Sequence, residues 1–188
     1  AAKLNNNMIS GLTALTVPPA TTDELLLSDA GTLKRIDFSL IGNAPSFFVR
    51  KTSDQEINDS STTQVTFDTE DWDTDSAFAS NTFTVPSGQA GKYVFNINLQ
   101  GYDNSGSLKR MVGSLYKNDA AIFQVTNDYN ASDMYNILTS FTACLDLSAA
   151  DTIKVYGLND TADGSTSFLM GNSTKRETYF SGFKLIGV

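Results

Sequence analysis

A chain of 188 residues, 40% hydrophobic and 18% charged, can bury the core of one ordinary domain and is too apolar for bulk disorder. Its net charge of −8 argues against nucleic acid, which needs a basic footprint, and no apolar run approaches the ~20 residues of a membrane-inserted helix. There is no histidine, which removes histidine triads, proton shuttles and histidine metal sites together, and a single cysteine, Cys144, excludes an intramolecular disulfide.

Residues 1–44 differ from the rest. Asn5-Asn6-Asn7 gives way to Ile9-Ser-Gly-Leu-Thr-Ala-Leu-Thr-Val17, and Pro18-Pro19 forces extended backbone. Thr22 to Asp37 reads as strand, tight turn at Ser28-Asp-Ala-Gly31, and strand. A lone hairpin of this size cannot bury enough surface to stand by itself, so it should need a partner subunit or an assembly surface. No basic-then-apolar leader opens the sequence, and the expectation is synthesis in a reducing cytoplasm.

Asn43-Ala-Pro45 marks a boundary between this arm and a domain over 45–188. The spacing there predicts strands near 46–51, 62–67, 81–85, 92–100, 108–117, 121–126, 136–147, 152–158, 166–171 and 178–187. Alternation is clearest at Tyr93, Phe95, Ile97 and Leu99 against Val94, Asn96 and Asn98, and again at Tyr179, Ser181, Phe183 and Leu185 against Phe180, Gly182, Lys184 and Ile186. Cys144, inside Phe141–Leu147, reads as a small buried hydrophobe. No stretch carries a clean 3.6-residue apolar repeat, so the chain is expected to be all-β.

Five pieces in order carry a resemblance: Phe78 followed by Phe83-Thr-Val-Pro86, then Gly91 and Tyr93-Val-Phe95, Ser114-Leu-Tyr-Lys-Asn-Asp119, Leu145 to Tyr156, and Phe180-Ser-Gly-Phe183. This order resembles the C1q/TNF-like jelly roll over about residues 47–188. The resemblance implies a ten-stranded sandwich that assembles as a homotrimer, with aromatics of one sheet meeting near the threefold axis. Tyr93, Phe95, Tyr179 and Phe180 are the trimer-interface candidates; the competing reading is that they fill the sandwich core. The arm over about 9–41 resembles a short module of bacteriophage tail-fibre and other virion proteins, carried here by Ile9-Ser-Gly-Leu-Thr-Ala-Leu15 and by Asp23-Glu-Leu-Leu-Leu-Ser-Asp-Ala-Gly-Thr-Leu-Lys-Arg-Ile36. It implies a phage virion protein made in host cytoplasm, attached to other virion proteins through residues 1–44. A tail-fibre or receptor-binding knob is the first reading, a capsid decoration protein the second and a secreted C1q/TNF-like ligand the third.

The densest carboxylate run is Asp68-Thr-Glu-Asp-Trp-Asp-Thr-Asp75. A flexible loop of this kind suits a hard cation, which makes calcium at Asp68, Glu70, Asp71, Asp73 and Asp75 the functional reading. A solvated acidic loop between strands is the plainer one and is preferred, with no cofactor and no catalysis. Trp72 sits within the run and either anchors a contact or covers the end of the domain. Tyr102, Tyr129 and Tyr135 fall in polar stretches that suit adaptable recognition. With Trp72 they are the candidates for contact with a host surface saccharide or protein.

Overall fold

The computed structural model describes residues 16, 19–20, 22–37, 44–129 and 134–186. The chain divides into two compact units, Ala1–Gly42 and Asn43–Val188.

In the first unit, β1 (Glu24–Asp29) and β2 (Thr32–Asp37) pair antiparallel from Glu24↔Asp37 to Asp29↔Thr32. The turn is therefore centred on two residues, Ala30-Gly31, one position later than the sequence suggests. Both have positive φ, 48° and 83°, as a type I′ turn requires. Cross-strand partners share a face, so Leu25, Leu27 and Ile36 lie on one side and Leu26 and Leu33 on the other. Ion pairs Lys34–Asp29 and Arg35–Glu24 brace the ribbon. Leu26 stays 71% exposed and Leu33 59%.

The second unit is a sandwich of two antiparallel sheets, and no helix occurs among the described residues. The first sheet is built on β9 (Gly91–Tyr102). β12 (Asn136–Leu147) runs along one edge of β9 for its whole length. The other edge of β9 takes β15 (Tyr179–Lys184) and, at Gly101–Tyr102, β14 (Ser167–Leu169). β3 (Ser46–Arg50) pairs with β15, β6 (Thr69–Asp73) with β3, and β4 (Gln55–Ile57) with β14. The second sheet runs β11 (Ala120–Asp128), β10 (Leu108–Lys117), β13 (Thr152–Thr161), β8 (Thr82–Thr84) and β7 (Phe78–Ala79), with β5 (Thr63–Gln64) also on β13.

Each of the ten expected segments overlaps one of these strands, and β9, β11 and β13 run beyond the expected bounds. β4, β6 and β7 were not expected, because two to five residues give too short a run to show alternation. β6 corrects the acidic loop: the run is an edge strand, held by its ladder to β3 rather than by its own composition.

The core is aromatic where the sheets meet. Phe47 of β3 stacks on Phe83 at 5.0 Å and Phe78 at 5.2 Å, both from the second sheet, and meets Phe180 edge-on at 4.9 Å. Tyr93 and Phe95 complete the cluster. Of the four residues named as trimer-interface candidates, Tyr93, Phe95 and Phe180 are fully buried within the sandwich core, the competing reading of them, and Tyr179 faces out. Alternation presents both faces equally in sequence; the structure chooses. It also turns Cys144 outward and exposed, with Ala143 and Leu147 on the core side.

Gly182 of β15 lies beneath this cluster. A Cβ there would come within 2.5 Å of the Phe95 ring and 2.9 Å of the Phe47 ring. Gly182→Ala should therefore destabilise by about 1–3 kcal/mol through overpacking. Phe47→Ala should cost about 3–5 kcal/mol through a cavity. Both are read as shifts of the urea midpoint at unchanged slope, and a neutral Gly182→Ala would contradict this ring packing.

Candidate interaction surface

β3 alternates Phe47 and Val49 inward with Phe48 and Arg50 outward. Phe48 becomes the centre of a row across the outer side of the first sheet. Trp72 of β6 lies 5.1 Å from its ring on one flank, and Tyr179 of β15 stacks at 5.2 Å on the other. The Arg176 guanidinium sits 5.5 Å over the Phe48 ring, a cation–π arrangement. Trp72 remains 49% exposed. Beside the row runs a groove of about 370 Å³ bounded by Phe48, Trp72, Asn96, Ser181 and Phe183.

Asp71 fastens the row. It accepts from Arg176 Nη2 at 2.9 Å and from Arg50 Nε at 3.1 Å. These two guanidiniums, Arg176 first, hold its carboxyl below the usual range. The other acidic residues of the run have separate tasks. Asp68 accepts from the Thr52 and Ser53 amides at 2.7 and 2.9 Å. Asp73 caps the Ala77 and Phe78 amides at 3.0 and 2.7 Å, and Asp75 accepts from the Thr74 hydroxyl. Among the described residues no group of three histidine, cysteine or acidic side chains is placed to hold a metal ion. The five carboxylates named for calcium are thus dispersed along a strand and its turn rather than gathered.

The three tyrosines lie elsewhere. Trp72 is level with Asn96 of β9 through the pairs Phe48↔Trp72, Phe48↔Ser181 and Ser181↔Asn96. Tyr102 is six residues along β9, roughly 20 Å away at about 3.3 Å per residue. Its hydroxyl donates to Asp54 at 2.6 Å, its ring stacks on Phe168 at 5.2 Å, and burial with the Asp54 bond pushes its pKa up to about 12. It is a packed residue. Tyr129 and Tyr135 are exposed at the same end, on either side of residues 130–133, which lie outside the described residues. Ser107 is bonded to both Asp103 and Asp163 nearby.

A second apolar surface, unmarked by any motif, follows the edge formed by β11 and β12. Ile122, Phe123 and Leu138 are exposed along it. Ile122 is the extra residue of a bulge between the pairs Leu115↔Phe123 and Tyr116↔Ala121. Asn127 ties the two edge strands together by donating to Leu138 O at 2.6 Å and Thr139 Oγ1 at 3.2 Å. Burial alternating with exposure along β12 was the only available signal, and it cannot tell an edge from a face.

No protein-family model matches the sequence, and the comparison with curated proteins finds no match. Solved structures do match in shape. The globular domain of zebrafish complement 1qA aligns with a TM-score of 0.52 at 16% identity, covering 75% of this chain and 97% of that one. Murine APRIL aligns at 0.55 and 11% identity, covering 74% and 98%. The Eiger TNF of S. frugiperda aligns at 0.51 and 15% identity, covering 76% and 93%. At such identities the likeness is one of fold: the sandwich is a C1q/TNF-like jelly roll.

Two outcomes follow from the carboxylates. Chelation should leave the melting temperature unchanged, since Asp68, Asp71, Asp73 and Asp75 each already have a protein partner; a drop reversed by calcium would restore the metal site. Asp68 and Asp71 lie below their ordinary pKa, and Asp151 and Asp163 fall to about 2. A folded-state pKa below the unfolded one gives stability that is complete above about pH 4 and is lost as pH falls toward the folded values. Melting temperature should be flat from neutral pH to about 5 and fall steeply below about 4, where these bonds titrate. A flat profile through that lower range would contradict the assignment.

Proposed function

We propose that the chain is a non-enzymatic structural protein on the surface of a phage virion, a trimeric knob of a tail fibre or receptor-binding apparatus attached through its N-terminal arm. The observation that carries the attachment is the hairpin with exposed leucines on both faces. A two-stranded ribbon is marginal alone, and apolar side chains on both sides call for a surface to lie against. The resemblance of residues 9–41 to a virion module supports a particle as that surface.

Trimer formation is supported by the fold and by the two apolar surfaces of the sandwich. The β11–β12 edge and the Phe48–Trp72–Tyr179 row are different patches, about three strand spacings apart, or roughly 14 Å. A contact between unlike patches is heterologous and must close into a ring or run on as a filament. The C1q/TNF-like fold implies a ring of three. Tyr129 and Tyr135 would then project from one end of the knob as host-contact residues, and Trp72 would belong to the subunit interface.

Light scattering should give three times 20.3 kDa for the intact chain. Phe123→Asp with Leu138→Asp should give a folded monomer. Trp72 is the only tryptophan, so its emission should shift to longer wavelength in that variant. A trimer that survives the double change would rule out the edge-to-row contact.

Copy number in purified particles, measured against the major capsid protein, tests the position. A few to several dozen copies mean tail or fibre, and hundreds mean capsid decoration. The other reading, a secreted binding ligand, is favoured by the likeness to APRIL and Eiger, and absence of the chain from particles would leave that one standing.

A further inference from the structure

At the edge of the sandwich opposite β11 and β12, the two sheets part between β6 and β7. A cavity of about 310 Å³ opens there. Its floor is Val49, Phe67 and Phe78, and its rim is formed by Glu70, Ser80 and Asn81. The two phenyl rings stand at 72° to each other with centroids 6.1 Å apart, making an aromatic corner. The volume is at the small end of the range for ligand sites, about 300–1,000 Å³.

The rim carboxylate is aimed by a bulge. Phe48 pairs with Trp72, and the next residue, Val49, pairs with Glu70, which leaves Asp71 as the extra residue of β6. Cross-strand partners share a face, so Trp72 goes outward with Phe48 while Glu70 takes the side of Val49, where at the sheet edge it stays exposed beside the cavity mouth. Without the bulge, residues two apart would share a face. Glu70 is the exception in its run: among the described residues it has no hydrogen-bond or ion-pair partner, whereas Asp68, Asp71, Asp73 and Asp75 all do. The nearby cation, Lys51, is buried and donates to Thr66 O at 2.7 Å and Thr66 Oγ1 at 3.2 Å.

The opposite wall is equally fixed. Ser80 and Asn81 form the two-residue turn between β7 and β8, with φ of 50° and 61°. Asn81 Oδ1 accepts from the Phe67 amide at 2.8 Å, which turns its NH2 group into the available donor of that side chain.

We propose that this cavity binds a small organic ammonium ion of about the size of choline, with the cation over the Phe67 and Phe78 rings and Glu70 as counter-charge. Ring faces attract cations, most strongly for weakly hydrated quaternary ammonium groups. An unpaired carboxylate above an apolar floor selects the same charge and rejects anions. The Asn81 amide and Ser80 hydroxyl are placed to meet a polar tail. The recess lies between two sheet edges, which favours a free solute over a headgroup held in a bilayer.

The test is an NMR titration of the isotope-labelled full chain with choline, with the neutral alcohol in which carbon replaces the choline nitrogen, and with sodium chloride at matched ionic strength. Choline should move the amide signals of Glu70 and Phe78 to Asn81 in a saturable way, and bind roughly three- to tenfold more tightly than the alcohol. Glu70→Gln, a surface change that leaves the core intact, should remove that preference while alcohol binding stays the same. Equal binding of choline and alcohol, a response shared with sodium chloride, a preference that persists in Glu70→Gln, or no response to choline would each overturn the proposal. Sedimentation with phosphatidylcholine vesicles, without binding of free choline, would assign the surface to membrane instead and overturn it too.

Discussion

Phe47 touches rings from both sheets, and the rest of the sandwich is arranged around that contact. Two sheets packed face to face sit about 10 Å apart, a gap that two opposed aromatic layers fill without voids. Phe180 and Phe95 come from its own sheet, Phe78 and Phe83 from the other. Gly182 provides the room, since any side chain there would meet these rings. Once Phe47 is inside, the pleat of β3 fixes what lies outside. Phe48 must face outward, Val49 inward and Arg50 outward, so one buried ring determines where the surface row, the arginine pair on Asp71 and the floor of the edge cavity are found.

Much of the sandwich was legible in the sequence because its long strands are half-buried and alternate. β9 reads inside and outside from Tyr93 to Leu99 with no break. The hairpin was legible for a different reason: Ala30-Gly31 is turn chemistry, local and independent of tertiary contacts. β6 was illegible, since Glu70, Asp71 and Asp73 have poor strand propensity and the strand exists only by pairing with β3. Sheet faces were illegible by symmetry, which is why Tyr93, Phe95 and Phe180 could be placed at an axis as readily as in a core. The Arg176–Asp71 pair joins residues 105 positions apart, and no spacing rule reaches that far.

The acidic residues show a related division. The chain carries eight more acids than bases, yet the acids near β6 act mainly as hydrogen-bond acceptors for backbone ends that the sheets leave unpaired. Asp68 receives the Thr52 and Ser53 amides where β3 ends, and Asp73 receives the amides leading into β7. Such caps cost desolvation and are offset by charge-assisted bonds. Composition reported a charged loop; geometry distributes the charge into joints.

β11 pairs only with β10 among the described residues, which leaves the other side of a nine-residue strand open. The bulge at Ile122 bends that edge, one of the devices by which proteins discourage strand addition. It bears Ile122 and Phe123 even so, and lacks the lysines that usually guard such edges. A single copy of the chain therefore presents a template for strand addition. Wherever copies are concentrated, non-native association should start at this edge, which makes synthesis rate and temperature, alongside intrinsic stability, variables that decide whether the chain is recovered folded or as aggregate.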